Sequence, residues 1–192
     1  MNVIAEIKIS EKSLENLKRF NQENKAITRE SIEISLLQLL EKKDFKKITI
    51  SELVERAGVS RAAFYRNYGS KEEILKSIFE SSIAKITKSL DGYNLKTDLY
   101  QVWVYLLKEV KKEAKIISLA IDYNFEQVLT KSVYDFLEKR NGSSSNGAGS
   151  YLNSFWSSAI VSVISKWVKD GMKTPAEKIA TLGLPLFPHK KK

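Results

Sequence analysis

The chain has 192 residues, 43% of them hydrophobic, with 32 Lys or Arg against 23 Asp or Glu, no Cys and one His. That much apolar material suffices for one large or two small domains of ~100–150 residues. The lack of Cys excludes disulfides, thiolate metal sites and cysteine nucleophiles, and the lone His189 near the C-terminus leaves no His-based triad or His-ligated zinc.

The formal net charge of +9 favours a polyanionic partner. The N-terminus lacks a basic-then-apolar signal pattern. No apolar run approaches the ~20 residues of a membrane helix. The expectation is a soluble cytoplasmic protein, without membrane contact, without a cofactor and not an enzyme, since no glycine-rich phosphate loop is present and the carboxylates are scattered.

Residues 1–24 are polar and weakly patterned and read as an N-terminal extension, in which Leu14, Leu17 and Phe20 can line a short amphipathic segment. Thr28 to Lys43 reads as the first helix, with Thr28 as its cap and Ile32, Leu36, Leu39 and Leu40 recurring at helical spacing. Phe45 and Ile48 follow in a loop that closes a small core. Thr49 with Glu52 is a capping box, in which hydroxyl and carboxylate each satisfy an amide of the first turn. The helix it opens presents Leu53, Val54 and Ala57 and ends at Gly58, where a left-handed residue needs no Cβ. Val59 plugs the angle and Ser60 caps the next helix. Gly69 and Ser70 stop that helix, and Ser70 with Glu73 is a second capping box. Two short helices joined by a tight turn with Gly make a helix-turn-helix.

A fourth helix is expected from Lys71 to about Leu90, with the stripe Ile74, Ile78, Ile83 and Ile86, and a turn at Asp91 to Asn94. Beyond it every pattern is helical. Leu99, Trp103, Leu106, Val110 and Ala114 form one stripe, Lys115 to Tyr123 another helix, and Val128, Leu129, Val133, Phe136 and Leu137 a further stripe. Asn141 to Ser150 is an uncharged Gly/Ser/Asn tract and reads as a flexible loop. Tyr151 to Lys169 is the most hydrophobic helix and stops at Gly171. Thr174-Pro175-Ala176-Glu177 combines a capping box with Pro at the first helical position. The expected organisation is an N-terminal extension (1–24), a helix-turn-helix domain (25–70), a linking helix (71–92), a helical regulatory and dimerisation domain (93–182) and a disordered tail (183–192).

The pattern Thr49, Ala57-Gly58-Val59-Ser60, Phe64-Tyr65, Tyr68, Ser70-Lys71-Glu72 and Ile74-Leu75 resembles the DNA-binding domain of the TetR family of transcriptional regulators. The resemblance covers about 50 residues, from Thr28 to Glu80. It implies an all-α fold: an N-terminal three-helix helix-turn-helix domain, followed by a helical C-terminal domain that dimerises and binds a small inducer. It also implies a repressor acting as a homodimer on a palindromic operator in double-stranded DNA. The run Trp167, Gly171-Met172, Pro175 looks like the end of such regulators, whose last two long helices form the dimer's four-helix interface. Ala62-Ala63 and Gly69 depart from the family's common residues.

Candidate contacts to DNA follow from these positions. The resemblance assigns Tyr65 to a phosphate oxygen. Lys71 sits at a helix N-terminus, where the dipole and free amides favour an anion. Arg61 and Arg66 are phosphate anchors or guanine readers, Arg61 being the better placed for the bidentate contact to O6 and N7. Ala62 and Ala63 can touch thymine methyls but cannot hydrogen-bond a base. Ser60, Asn67 and Tyr68 complete the set on the second helix, and Thr28 and Thr49 can lend an amide or hydroxyl to phosphate. Trp103 and Tyr123 are candidates to line an inducer pocket, with ordinary core roles competing. Leu152, Trp156, Ile160, Val163 and Trp167 are the candidate dimer interface. A helical protein-interaction adaptor without DNA binding is the competing function, resting on the two alanines and on a reader only three charges more basic than acidic between Lys25 and Glu72.

Overall fold

A computed structural model of the chain describes residues 11–94, 97–141, 148–182 and 184. Secondary structure among the described residues is helical throughout, without a strand. The chain divides between Ile74 and Leu75 into two units.

The first unit is built on α1 (Glu11–Leu40), α2 (Ile50–Ala57), α3 (Arg61–Asn67) and the start of α4 (Lys71–Lys88). Its α1 is a single 30-residue helix, so the helix expected from Thr28 begins 17 residues earlier and ends before Lys43. Nothing between Glu11 and Leu40 is Gly or Pro, so no residue breaks the helix. Thr28 therefore lies inside α1 rather than at its start, and its hydroxyl donates to the Asn24 carbonyl 2.8 Å away, one turn back. Only the second half of α1 is packed, through Ile32, Leu36 and Leu39. In the first half Leu14, Leu17 and Phe20 stay exposed, as does Ile27 just beyond it.

Against the packed half of α1 lie α2 and α3, which also touch each other. Leu53 and Phe64 are fully enclosed, with Phe45 and Ile48 closing the core from a short 3₁₀ turn, Phe45–Lys47. Buried aromatic and aliphatic side chains of this kind contribute ~1.5–3 kcal/mol each, which orients two helices too short to persist alone.

The second unit contains the rest of α4, a 3₁₀ turn (Ser89–Gly92), and α5 (Leu99–Lys112), α6 (Ala114–Asp122), α7 (Glu126–Asn141), α8 (Ala148–Lys169) and α9 (Ala176–Ala180). Most of the loop expected between Asn141 and Ser150 lies outside the described residues, as does the tail except for Leu184. Helix α8 starts three residues before the expected Tyr151 and packs on α6 and α7, while α5 packs on α9. At its end Gly171 and Met172 both adopt left-handed backbone, with φ of 71° and 54°. Their amides close onto the carbonyls of Val168 and Trp167 at 2.9 Å each. The expected cap of α9 is not made: Pro175 is itself the N-cap, no side chain caps the helix, and it is five residues long.

Candidate nucleic-acid interface

The ends of α2 and α3 are set by local chemistry. The Thr49 hydroxyl accepts from the Glu52 amide at 3.3 Å, and the Glu52 carboxylate accepts from the Thr49 amide at 3.0 Å. Gly58 ends α2 at φ 66°. The Val59 amide then reaches back to the Val54 carbonyl at 3.0 Å, the closing bond of a Schellman turn. The Ser60 hydroxyl accepts from the Ala63 amide at 3.0 Å and opens α3. The second expected capping box is altered: the Ser70 hydroxyl accepts from the Glu73 amide, but the Glu73 carboxylate takes the Gly69 amide, at 2.7 Å, instead of that of Ser70.

Glu52 also pairs with Lys43 of the preceding loop. The Lys43 ammonium, and after it the Thr49 amide and hydroxyl, hold the Glu52 carboxyl at about 2 against an ordinary 4.5. A carboxyl depressed on folding adds stability that is complete above its unfolded value and is lost as pH falls towards its folded one. The stability difference between the protein and its Glu52→Gln variant is therefore expected to be constant above about pH 5 and to fade between there and about pH 2. Denaturant unfolding at several pH values checks this. At neutral pH, Thr49→Ala is expected to cost about 1 kcal/mol as a lost cap.

With its ends fixed, α3 divides cleanly. Phe64 is fully buried and Tyr68, just past the helix, is 3% exposed. The Tyr68 hydroxyl donates to Glu33 of α1, and the Arg29 guanidinium lies 4.3 Å above the Tyr68 ring. Tyr68 is thus a core anchor and leaves the set of expected DNA contacts. Asn67 also turns inward, its amide donating to the Ala63 carbonyl at 2.8 Å, while Arg29 binds the Asn67 carbonyl at 3.2 Å. Ala63 is half-buried.

The opposite face holds Arg61, Ala62, Tyr65 and Arg66, all exposed. Their spacing, two adjacent residues and the same pair four positions on, makes one helix stripe. No acid lies on α3. Tyr65 packs edge-on against Phe64, ring centroids 5.2 Å apart, and stands 56% exposed. Arg61 donates to the Ser51 hydroxyl at 2.5 Å, which ties the base of the stripe to the start of α2. Ser51 carried no signal in the sequence beyond its place after a cap.

Lys71 has a different role from the expected one. Its ammonium donates to the carbonyls of Phe45 at 2.8 Å and Ile48 at 3.0 Å and lies 4.6 Å from the Phe45 ring centroid. It fastens the loop after α1 to the start of α4, so its ammonium is engaged within the unit.

In the second unit, Trp103 is 1% exposed and its indole donates to the Leu184 carbonyl at 2.7 Å. Tyr123 is half-buried. Neither lines the apolar cavity of this unit, which is walled instead by residues of α4, the 3₁₀ turn after it and α5 to α8, among them Ile86, Val102, Leu106, Val133 and Ile160. Helix α8 is also divided. Ile160 and Trp167 are buried within the protomer, Trp167 donating to the Thr174 carbonyl at 2.8 Å, so both leave the set of expected interface residues. Leu152 is exposed, with Trp156 and Val163 half-buried. In the first half of α8 the usual polarity is inverted. Asn153 and Ser157 face inward, while Tyr151 and Phe155 are 80% and 62% exposed.

Residues 36–78 match the family described as bacterial regulatory proteins, tetR family, and residues 97–183 match that described as a transcriptional regulator C-terminal region. The chain is 33% identical over 95 residues to the uncharacterized HTH-type transcriptional regulator YxbF of Bacillus subtilis (strain 168), over 49% of this chain and 23% of that protein. It is 28% identical over 120 residues to the HTH-type dhaKLM operon transcriptional activator DhaS of Lactococcus lactis subsp. lactis (strain IL1403), over 62% and 63% respectively. The uncharacterized regulator YvkB of Bacillus subtilis (strain 168) matches at 33% over 87 residues, 44% of this chain and 46% of that one. The chain thus spans less than two thirds of the length of each of these relatives. The fold is shared with a TetR transcriptional regulator from Streptococcus agalactiae 2603V, with a TM-score of 0.57 at 22% identity over 88% of this chain and 97% of that one. It is also shared with the dihydroxyacetone kinase operon activator DhaS, with a TM-score of 0.53 at 19% identity over 82% and 92%. With its helix-turn-helix and its C-terminal region both matched, the chain belongs to the TetR family of transcriptional regulators.

Proposed function

We propose that this protein is a sequence-specific DNA-binding transcriptional regulator. In this reading it is a homodimer that represses from a palindromic operator and is released by a small molecule held in the apolar cavity of its second unit. The observation that carries the reading is the outer stripe of α3. Arg61, Ala62, Tyr65 and Arg66 stand exposed and free of acids on a helix whose inner face is locked by Phe64 and Tyr68. Exposed arginines beside an aromatic hydroxyl suit phosphate oxygens and guanine edges, and Ala62 suits a thymine methyl.

The dimer is supported by the inverted polarity of α8. A lone protomer gains nothing by exposing Tyr151, Leu152 and Phe155 while Asn153 and Ser157 take the inside; a second copy covering that face removes the cost. Two α3 helices related by the two-fold axis would then meet half-sites ~34–36 Å apart, or a multiple of that distance. Repression is the usual sign in the family. An activator reading is favoured by one observation, the printed description of DhaS as an activator. A reporter driven by the bound promoter distinguishes them by the direction of change when the protein is deleted.

Gel-shift with genomic fragments tests the main reading: salt-sensitive, sequence-selective retardation supports the regulator, and none supports an adaptor. Within that assay Arg61→Ala is expected to relax preference at one position in each half-site, costing ~1–3 kcal/mol for each base no longer read. If operator and random DNA weaken equally, Arg61 is an anchor, and base preference comes from Ala62, Arg66 or DNA shape.

A further inference from the structure

Two spaces in the second unit share a wall. The first is the apolar cavity, about 50 Å³, several water-sized volumes, with hydrocarbon lining on every side and Thr87 as its one residue bearing a hydroxyl. The Thr87 hydroxyl is turned to the carbonyls of Ile83 and Ala84, at 2.9 and 3.3 Å. Such a space gives water no partners and suits hydrocarbon. The second is an open depression of about 490 Å³ lined by Thr87, Lys88, Phe136, Lys139 and Arg140. Three of its five residues are cations and none is an acid. Thr87 and Phe136 line both spaces, so hydrocarbon on one side of them lies next to positive charge on the other.

The basic depression is held in place. Arg140 donates to the Leu90 carbonyl at 2.8 Å and to the Tyr93 carbonyl, and its guanidinium lies 5.8 Å from the Phe136 ring centroid. Leu90 itself lines the cavity. Arg140 thus fixes the rim, while Lys88 and Lys139, which make no ion pair among the described residues, are left to meet a ligand.

We infer that the ligand of this unit is a small amphipathic anion: a short alkyl chain seated in the cavity past Thr87 and Phe136, with an anionic oxygen head at Lys88 and Lys139. This deepens the regulator reading and rests on it only for its consequence, since binding itself does not require DNA. The head is a carboxylate or a phosphate monoester, which share the charge and the acceptor oxygens that the ammonium groups recognise. A neutral or cationic molecule of the same length fills the cavity but leaves the rim without a partner.

The test uses the full chain and four probes of six carbons each, hexanoate, hexyl phosphate, 1-hexanol and hexylamine, measured by titration calorimetry. At least one of the two anions is expected to bind roughly 10- to 100-fold more tightly than hexanol, as charge-assisted hydrogen bonds do, and hexylamine more weakly than either anion. The double variant Lys88→Gln/Lys139→Gln, altered only at exposed positions, is expected to erase the preference for the anion and leave hexanol binding unchanged. Val133→Phe, which fills the cavity, is expected to abolish binding of all four. Equal binding of hexanoate, hexyl phosphate and hexanol, or an anion preference that survives in the double variant, overturns the assignment of the rim. No binding of any probe overturns the site. Gel-shift without ligand, run on the same preparations, separates the two claims: DNA binding without anion binding sinks this inference alone, and anion binding without DNA binding sinks the regulator reading alone.

Discussion

If the proposed dimer forms through α8, Phe155→Glu is expected to convert it to monomer and to remove most of the affinity for a palindromic operator. Phe155 is 62% exposed in the protomer and packs edge-on against Trp156, ring centroids 5.0 Å apart. The substitution therefore leaves the protomer's own core intact. In the dimer it would place an unpaired carboxylate among Tyr151, Leu152 and their copies, at a cost of several kcal/mol. Losing the second reader forfeits the intramolecular advantage of bivalent binding, on the order of 10²- to 10⁴-fold in affinity. The control is Ile160→Asp, at a position buried inside the protomer. That change is expected to lower thermal stability sharply, whereas Phe155→Glu is expected to leave the protomer folded and change its size. Sedimentation and circular dichroism of both variants check the pair. An unchanged sedimentation coefficient for Phe155→Glu would remove α8 from the interface.

Lys71→Met is expected to damage DNA binding by a route other than the removal of a phosphate anchor. The change keeps the side-chain length and removes the ammonium that holds the Phe45 and Ile48 carbonyls. Hydrogen bonds from a charged donor are worth ~1.5–3 kcal/mol each, and water can replace part of this at a half-buried site. The helix-turn-helix unit should therefore lose roughly 1.5–3 kcal/mol of stability. Its operator affinity should fall only where that unit begins to unfold. The slope of log affinity against log salt should stay unchanged, since no cation leaves the DNA surface. A simple phosphate anchor would behave in the opposite way, with stability unaltered and the slope shallower by ~0.9 for each phosphate no longer neutralised. Tyr65→Phe supplies the comparison, because its exposed hydroxyl has no partner among the described residues. Stability should be untouched, while affinity for all sequences falls slightly.

The features legible in the sequence were those written in short range. Capping by Thr49 and Ser60 and the left-handed Gly58 need only residues within five positions of one another, and each forms as expected. Phe64 and Tyr65 could be assigned to different faces from helical period alone. What stayed hidden depends on distant partners. Lys71 meets carbonyls 23 and 26 residues away, and Tyr68 meets Glu33 35 residues away. No local pattern carries either interaction. In the first half of α1 only a short amphipathic segment with Leu14, Leu17 and Phe20 was legible, because most of that half is exposed and polar, so no core imposes a regular apolar period on it. Helix α8 is apolar on more than one face, and such a pattern cannot divide inward from outward residues. Ile160 and Trp167 went to the core while Leu152 and Phe155 did not. The cavity is walled mainly by aliphatic residues that any helical core shares, so the aromatic candidates Trp103 and Tyr123 stood out in the sequence without belonging to it.

Selection of bound sequences from a random pool of double-stranded DNA tests the central claim most directly. The account predicts enrichment of an inverted repeat whose half-site centres lie about one helical turn apart, or a multiple of it. It also predicts that Arg61→Ala loses information at one symmetric pair of positions within that repeat. Enrichment of no sequence, or of a single asymmetric half-site by a protein that sediments as a dimer, would contradict it.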